Sequence, residues 1–168
     1  MATLTFFSAN HCPGAVGLLL QGYFGTILHT GDFRFSPEML EHTPQLRSAV
    51  FDTVYLDNTY CHPRHEFPSR EEVAEQILQL IAEHHDKRVI IGVDLLGKEE
   101  LLVYLATALK TRVVVSSTRY QNLRLLDLDD VFDPLPTQDS FIFVVSKNEL
   151  SREKSARLLF ASSFCCGC

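Results

Sequence analysis

The chain has 168 residues, 46% of them hydrophobic and 21% charged, with a net charge of −6, a balance that excludes a disordered or collagen-like polymer and fits a globular protein with a core. No run of about eighteen apolar residues occurs, so no membrane span is expected. The acidic total argues against a nonspecific nucleic-acid binder, although a site built from carboxylates is acidic until metal fills it and a local basic groove can coexist with a negative total.

Met1 is followed by Ala2-Thr3-Leu4-Thr5, without a basic segment or the apolar core of a signal peptide. An intracellular, thiol-reducing setting is therefore expected. Cys12 and Cys61 each fall within a motif, whereas Cys165, Cys166 and Cys168 crowd the last residues. With no histidine or second cysteine pair nearby, those three read as an exposed tail, not a zinc site.

Thr3 to Phe7 alternates and is β-rich, so it predicts a strand that runs into Ser8-Ala9-Asn10-His11. Pro13-Gly14 then turns the chain. Val16 to Leu20 and Gly25 to Leu28 read as two short strands joined by a turn near Gln21-Gly22. A hairpin brings its ends together, so His11 and Asp32, the latter in Thr30-Gly31-Asp32-Phe33-Arg34, should lie side by side at one end of a sheet. A neutral imidazole and a carboxylate there can share a metal ion. The bland alternative is a turn histidine and a turn aspartate that do not meet. Arg34 has two readings as well: an ion pair that holds the Asp32 loop, or a contact to phosphate.

Ser36-Pro37 opens a polar connector with a helical turn. Val54-Tyr55-Leu56 is the next strand, with Asp57 at its end. Asp57 suits an Asx-turn with Asn58 and Thr59. Residues 61–68 carry two prolines and mixed polarity and read as a linker, in which His62 and His65 are expected to be solvated.

Ser69-Arg70-Glu71-Glu72 is a capping box. Val73, Ile77, Leu80 and Ile81 follow it at helical period, predicting a helix to about His84. Arg88 to Val93 reads as a buried strand, Gly97 onward as a helix with Leu101, Leu102, Leu105 and Leu109 inward, Thr111 to Val115 as a strand, Ser117 to Leu128 as a helix and Phe141 to Val145 as a strand. That alternation implies a parallel layer with right-handed crossovers. No Gly-x-Gly-x-x-Gly or Walker-type loop occurs, so no nucleotide cofactor is expected. The phosphate cue is Gly97-Lys98 at a helix start, where free N–H groups and a cation converge; Lys98 is otherwise an ordinary surface lysine. Ser151 to Lys154 reads as a charged helix start.

His11-Cys12-Pro13-Gly14, then a hairpin, then Thr30-Gly31-Asp32-Phe33-Arg34, resembles the third and fourth metal motifs of the metallo-β-lactamase-fold nucleases of DNA cross-link repair. Tyr55-Leu56-Asp57-Asn58-Thr59 resembles the first motif of that family's inserted β-CASP region. Phe67 to Glu72 and Leu96-Gly97-Lys98-Glu99 also fit it. The resemblance covers roughly residues 3 to 145. It implies an α/β (α+β) fold: a partial metallo-β-lactamase-like β layer over 1–60, a linker over 61–68, a partial β-CASP α/β segment with parallel strands over 69–146, and a divergent tail over 147–168.

The resemblance also implies roles. His11 and Asp32 would ligate zinc, one or two ions in a complete enzyme, with Asp32 able to bridge; Asp32 and Asp57 would serve catalysis, Asp57 by supporting the cluster; Arg34 and Lys98 would touch nucleic acid. The activity would be 5′→3′ DNA exonuclease action in interstrand cross-link repair and telomere-end protection, in the nucleus, on DNA with a 5′ end and among repair and telomere proteins. The family's His-x-His-x-Asp-His segment does not occur in these 168 residues. A catalytic zinc usually takes three protein ligands plus water, so this chain alone is expected to be inactive or nearly so. The alternatives are a product that at most binds partners or DNA, and a β-CASP ribonuclease.

Overall fold

The computed structural model describes residues 1–150 and 159–160. It divides into two compact units, one running from Met1 to Phe67 and the other beginning at Pro68. The segment expected as a linker straddles that division, with residues 61–67 in the first unit.

The first unit is a four-stranded sheet in the order β1-β2-β3-β4: β1 Thr3–Ser8, β2 Val16–Gly22, β3 Gly25–His29 and β4 Thr53–Tyr55. β1 and β2 are antiparallel, β2 and β3 are antiparallel, and β4 joins β3 in parallel. Strands β1, β3 and β4 therefore point the same way. The hairpin turn lies at Tyr23-Phe24, past the Gln21-Gly22 expected, because Gly22 still pairs with Gly25. Gly25 has φ +95, open to glycine at little cost, and so permits the tight return.

Pairs Leu4↔Leu20, Phe6↔Leu18 and Ser8↔Val16 share one face, and Leu4, Phe6 and Val16 on it are exposed. On the other face Phe7 and Leu19 are buried. The Phe7 ring lies directly over Gly17, its strand partner, where a Cβ would collide with it. Helices α1 Pro37–His42 and α2 Pro44–Ser48 lead to β4. Both start with proline, whose missing N–H costs nothing at a helix's first position.

The second unit has a five-stranded sheet. Its strands are β5 Val89–Val93, β6 Val113–Val114, β7 Phe132–Asp133, β8 Ile142–Ser146 and β9 Leu159–Phe160, in the order β7-β6-β8-β5-β9. All its pairings are parallel. β5 and β6 do not pair directly; each is a parallel neighbour of β8, and the crossover architecture expected from the alternating pattern is present. β7 was not expected. Two residues carry too little periodicity to announce a strand; Arg112 holds it in place, donating to the Phe132 carbonyl at 2.7 Å and pairing with Asp133 at 2.8 Å.

Three helices accompany this sheet: α3 Arg70–Glu83, α4 Glu99–Ala108 and α5 Ser117–Leu125, the last shorter than expected. The Ser69 capping box is complete: Ser69 Oγ accepts from the Glu72 amide at 3.0 Å and Glu72 accepts from the Ser69 amide at 2.7 Å. Val73 and Ile77 of α3, Leu102 and Leu105 of α4 and Leu123 of α5 pack with Val89, Ile91, Val113, Phe132 and Ile142 into one core. Burying each such side chain contributes about 1.5–3 kcal/mol. The helix start expected at Ser151 and the cysteines of the tail lie outside the described residues. Among the described residues no helix is long and apolar enough to cross a membrane.

Candidate functional site

The topology of the first unit brings three loop starts to one sheet end. β1, β3 and β4 end there, and the chain runs on to His11, Asp32 and Asp57 respectively. The parallel β3–β4 pair decides this, since an antiparallel β4 would deliver Asp57 to the opposite end.

Each loop is held locally. Cys12 to Ala15 is a turn closed by the Ala15 amide on the Cys12 carbonyl at 3.0 Å, with Pro13 and Gly14 (φ +81) at its corners, the type II pattern. The Ala9 amide donates to the Ala15 carbonyl at 3.0 Å, tying the His11 loop across its base. Gly31 has φ +60, and its amide donates to His29 Nδ1 at 3.1 Å. The His29 ring in turn stacks on Tyr55 at 5.6 Å.

The loops are also tied to one another. The Arg34 amide donates to the Ala9 carbonyl at 2.9 Å, and Asn10 Nδ2 donates to the Arg34 carbonyl at 3.3 Å. Arg34 thus joins the Asp32 loop to the His11 loop through its backbone. Thr30, which is buried, serves both of its neighbours: its hydroxyl accepts from the Asp57 amide at 3.1 Å and donates to the Gly31 carbonyl at 2.8 Å.

Asp57 is the most constrained of the three. The Thr59 hydroxyl and then the Thr59 amide hold its carboxyl below the ordinary carboxylate range; the Phe33 amide and the charge of His11 add smaller contributions in the same direction. The Asx-turn expected at Asp57-Asn58-Thr59 is present, with the Thr59 amide on Asp57 Oδ1 at 3.0 Å. His11 is half-buried and Asp32 exposed.

An open cavity of about 330 Å³ lies beside Asp57, lined by Phe33, Arg34, Phe35, Asp57, Tyr60, His65 and Phe67. His62 is exposed, but His65 is not the solvated loop residue expected. It is half-buried and packs against Tyr60 at 5.4 Å and Phe67 at 6.3 Å. Tyr60, His65 and Phe67 were missed because their spacing matches no single element; a Tyr-His-Phe grouping in a proline-bounded loop is the signal that was available.

Lys98 lies in the second unit, with φ +71 at the cap of α4. The donors expected to be free there are partly taken. The Gly97 amide donates to Glu99 Oε1 at 3.1 Å, and the same oxygen accepts from Arg119 at 2.9 Å. The chain's own buried carboxylate thus stands at this helix start.

Zinc can be tested against these donors. Among the described residues no group of three His, Cys, Asp or Glu side chains is placed to hold a metal ion. His11, Asp32 and Asp57 share one sheet end without forming a complete ligand set, so these residues by themselves do not fit a catalytic zinc.

No protein-family model matches the chain. It is 54% identical over 130 residues to the 5′ exonuclease Apollo of Gallus gallus, covering 77% of this chain and 28% of that protein. It is 35% identical over 139 residues to the DNA cross-link repair protein SNM1 of Arabidopsis thaliana, covering 80% of this chain and 28% of that protein. The chain thus spans 28% of the length of each of these curated relatives. The fold matches a crystal structure of a protein of unknown function from Enterococcus faecalis V583, with TM-score 0.66 and 12% identity, over 94% of this chain and 43% of that one. That likeness speaks to the fold alone.

Proposed function

Given that this chain belongs to the DNA cross-link repair nuclease family, whose members it matches over part of their length, we propose that it forms part of a metal-dependent 5′→3′ DNA exonuclease. The α/β (α+β) architecture, a β layer followed by an α/β segment with parallel strands, is that of a partial metallo-β-lactamase/β-CASP fold. The observation that carries the proposal is the convergence of the His11, Asp32 and Asp57 loops on one sheet end, bound to one another through Arg34 and Thr30.

In this reading His11 and Asp32 would supply two metal donors, fewer than a catalytic zinc takes from protein. Asp57 orders the site: clamped by Thr59, it is favoured in its ionised form, and its amide is tied to the Thr30 hydroxyl. Arg34 lines the cavity beside it and is a candidate phosphate contact. Lys98 is a second candidate phosphate contact. The setting is nuclear: interstrand cross-link repair, for which the relatives are named, and telomere-end protection, with DNA bearing a 5′ end and repair or telomere proteins as partners.

A second reading is favoured by the lack of a three-ligand group among the described residues: a catalytically inactive product that at most binds DNA or partners. A 5′-phosphorylated single strand incubated with zinc and either this chain or its Asp32→Ala variant tests both. Little or no digestion is expected from either protein. Robust digestion by the first and none by the second would show that this chain is active by itself and needs Asp32, overturning the inactive reading. An RNA strand of the same sequence, cleaved in preference to the DNA, would move the assignment to a ribonuclease.

A further inference from the structure

The cavity beside Asp57 has a chemistry that metal ligation does not use. At about 330 Å³ it lies at the small end of the ~300–1,000 Å³ range of small-molecule sites. Phe33, Phe35, Tyr60 and Phe67 put four aromatic rings on its walls. One corner is braced: the Tyr60 ring meets Phe67 edge-on at 5.1 Å and His65 edge-on at 5.4 Å. Phe35 is 60% exposed and Phe67 40% exposed, which leaves apolar ring surface facing water.

His65 is part of the fixed wall, its ring nitrogens turned away from solvent or already taken. Its Nε2 accepts from Arg64 Nε at 3.1 Å. A ring nitrogen that accepts carries no proton, so in the neutral imidazole the proton sits on Nδ1. That Nδ1 is buried and has no hydrogen-bond partner among the described residues. A buried donor without an acceptor is costly and calls for an explanation. The exposed ring surface, by contrast, is open to a ligand with a flat π face.

We propose that this cavity is a stacking subsite for one unpaired nucleobase of a DNA strand. The base lies against Phe35 and Phe67, the exposed rings of the wall. Aromatic side chains bind unpaired bases in this way with little sequence preference, since every base has a π face. The identity of the ligand as DNA rests on the family reading above; the binding itself does not depend on a metal.

The test is a fluorescence titration of the full 168-residue chain into a thymidylate strand carrying one 2-aminopurine, in EDTA. Stacking quenches 2-aminopurine, so the signal should fall on binding. A matched strand of abasic sites should bind about tenfold more weakly, as should Phe35→Ala and Phe35→Leu toward the base-containing strand, the usual size of one aromatic stack. Phe35 is exposed, so neither variant disturbs a core, and the leucine keeps apolar bulk while losing the π face. A fully paired blunt duplex should not compete. Equal affinity for the base-containing and abasic strands, or an unmoved signal, would overturn the proposal. EDTA separates the two readings: absent hydrolysis with zinc leaves this titration intact, and failed quenching leaves the metal reading intact.

Discussion

Thr59 donates twice to a single oxygen of Asp57: its hydroxyl lies 2.6 Å and its amide 3.0 Å from Oδ1. The pair turns a residue at the end of a three-residue strand into a fixed carboxylate, because both bonds strengthen only when the acid is ionised.

Replacing Thr59 by valine keeps the amide and removes the hydroxyl, the largest cause of the depression. The Asp57 carboxyl should then titrate closer to the ordinary value of about 3.9, read by carboxyl-carbon NMR across an acid series. The sign for stability follows. A carboxyl with a lowered folded pKa adds stability that is complete above its unfolded value and lost as pH falls through the folded one. The parent should therefore exceed Thr59→Val in stability at neutral pH, and the gap should close below about pH 4. Identical titration curves would show that the hydroxyl does not matter.

The Glu99–Arg119 pair, at 2.9 Å, is buried at both ends. Burial pulls the Arg119 pKa down, while Glu99 and Asp94 act to raise it. Arg119 also donates to the carbonyls of Asp94 at 2.6 Å and Gly97 at 3.0 Å. Arg119→Met should cost about 3–5 kcal/mol in urea unfolding, since Glu99 is left charged and unpaired. Adding Glu99→Leu should recover much of that loss. A single-variant cost below about 1 kcal/mol would place the pair among weak surface bridges.

Gly17 faces the Phe7 ring without room for a Cβ. Gly17→Ala should lower the stability of the first unit by about 1–3 kcal/mol through forced displacement of that ring. Thermal unfolding measures it, and Phe7→Leu in the same chain should remove part of the penalty. A neutral Gly17→Ala would mean that the ring swings aside freely.

With two donors in place of a complete set, zinc should bind the first unit weakly, and His11→Ala and Asp32→Ala should each weaken it further. Calorimetric titration of the three proteins, with Cys12, Cys61, Cys165, Cys166 and Cys168 all replaced by serine in every one to silence the thiols, reads this directly. Tight one-to-one binding that survives both substitutions would put the metal elsewhere.

Much of the architecture follows from short-range rules. The capping box at Ser69, the helical period from Val73 to Ile81, the β-branched run at Val89 to Val93 and the Pro13-Gly14 corner each depend on neighbours a few residues away, so the linear chain states them. The Asp57 Asx-turn is local in the same sense. Long-range choices are different. Nothing in Thr53–Tyr55 announces that it joins β3 in parallel, yet this pairing alone sends Asp57 to the end where His11 and Asp32 lie. β7 exists as two residues because Arg112 fastens them, a contact no periodicity encodes.

The sequence by itself determined where the candidate groups stand: the imidazole of His11, the carboxylates of Asp32 and Asp57, and the turns that follow or precede them. Only the tertiary structure decided their company. It set Thr59 and Phe33 on Asp57, filled the start of α4 with Glu99, and gathered Tyr60, His65 and Phe67 into a cavity wall. The physical reason is that turn and cap preferences act through one or two dihedral angles, whereas a cavity or a buried ion pair is made by groups far apart in the chain, whose meeting depends on how the strands are paired.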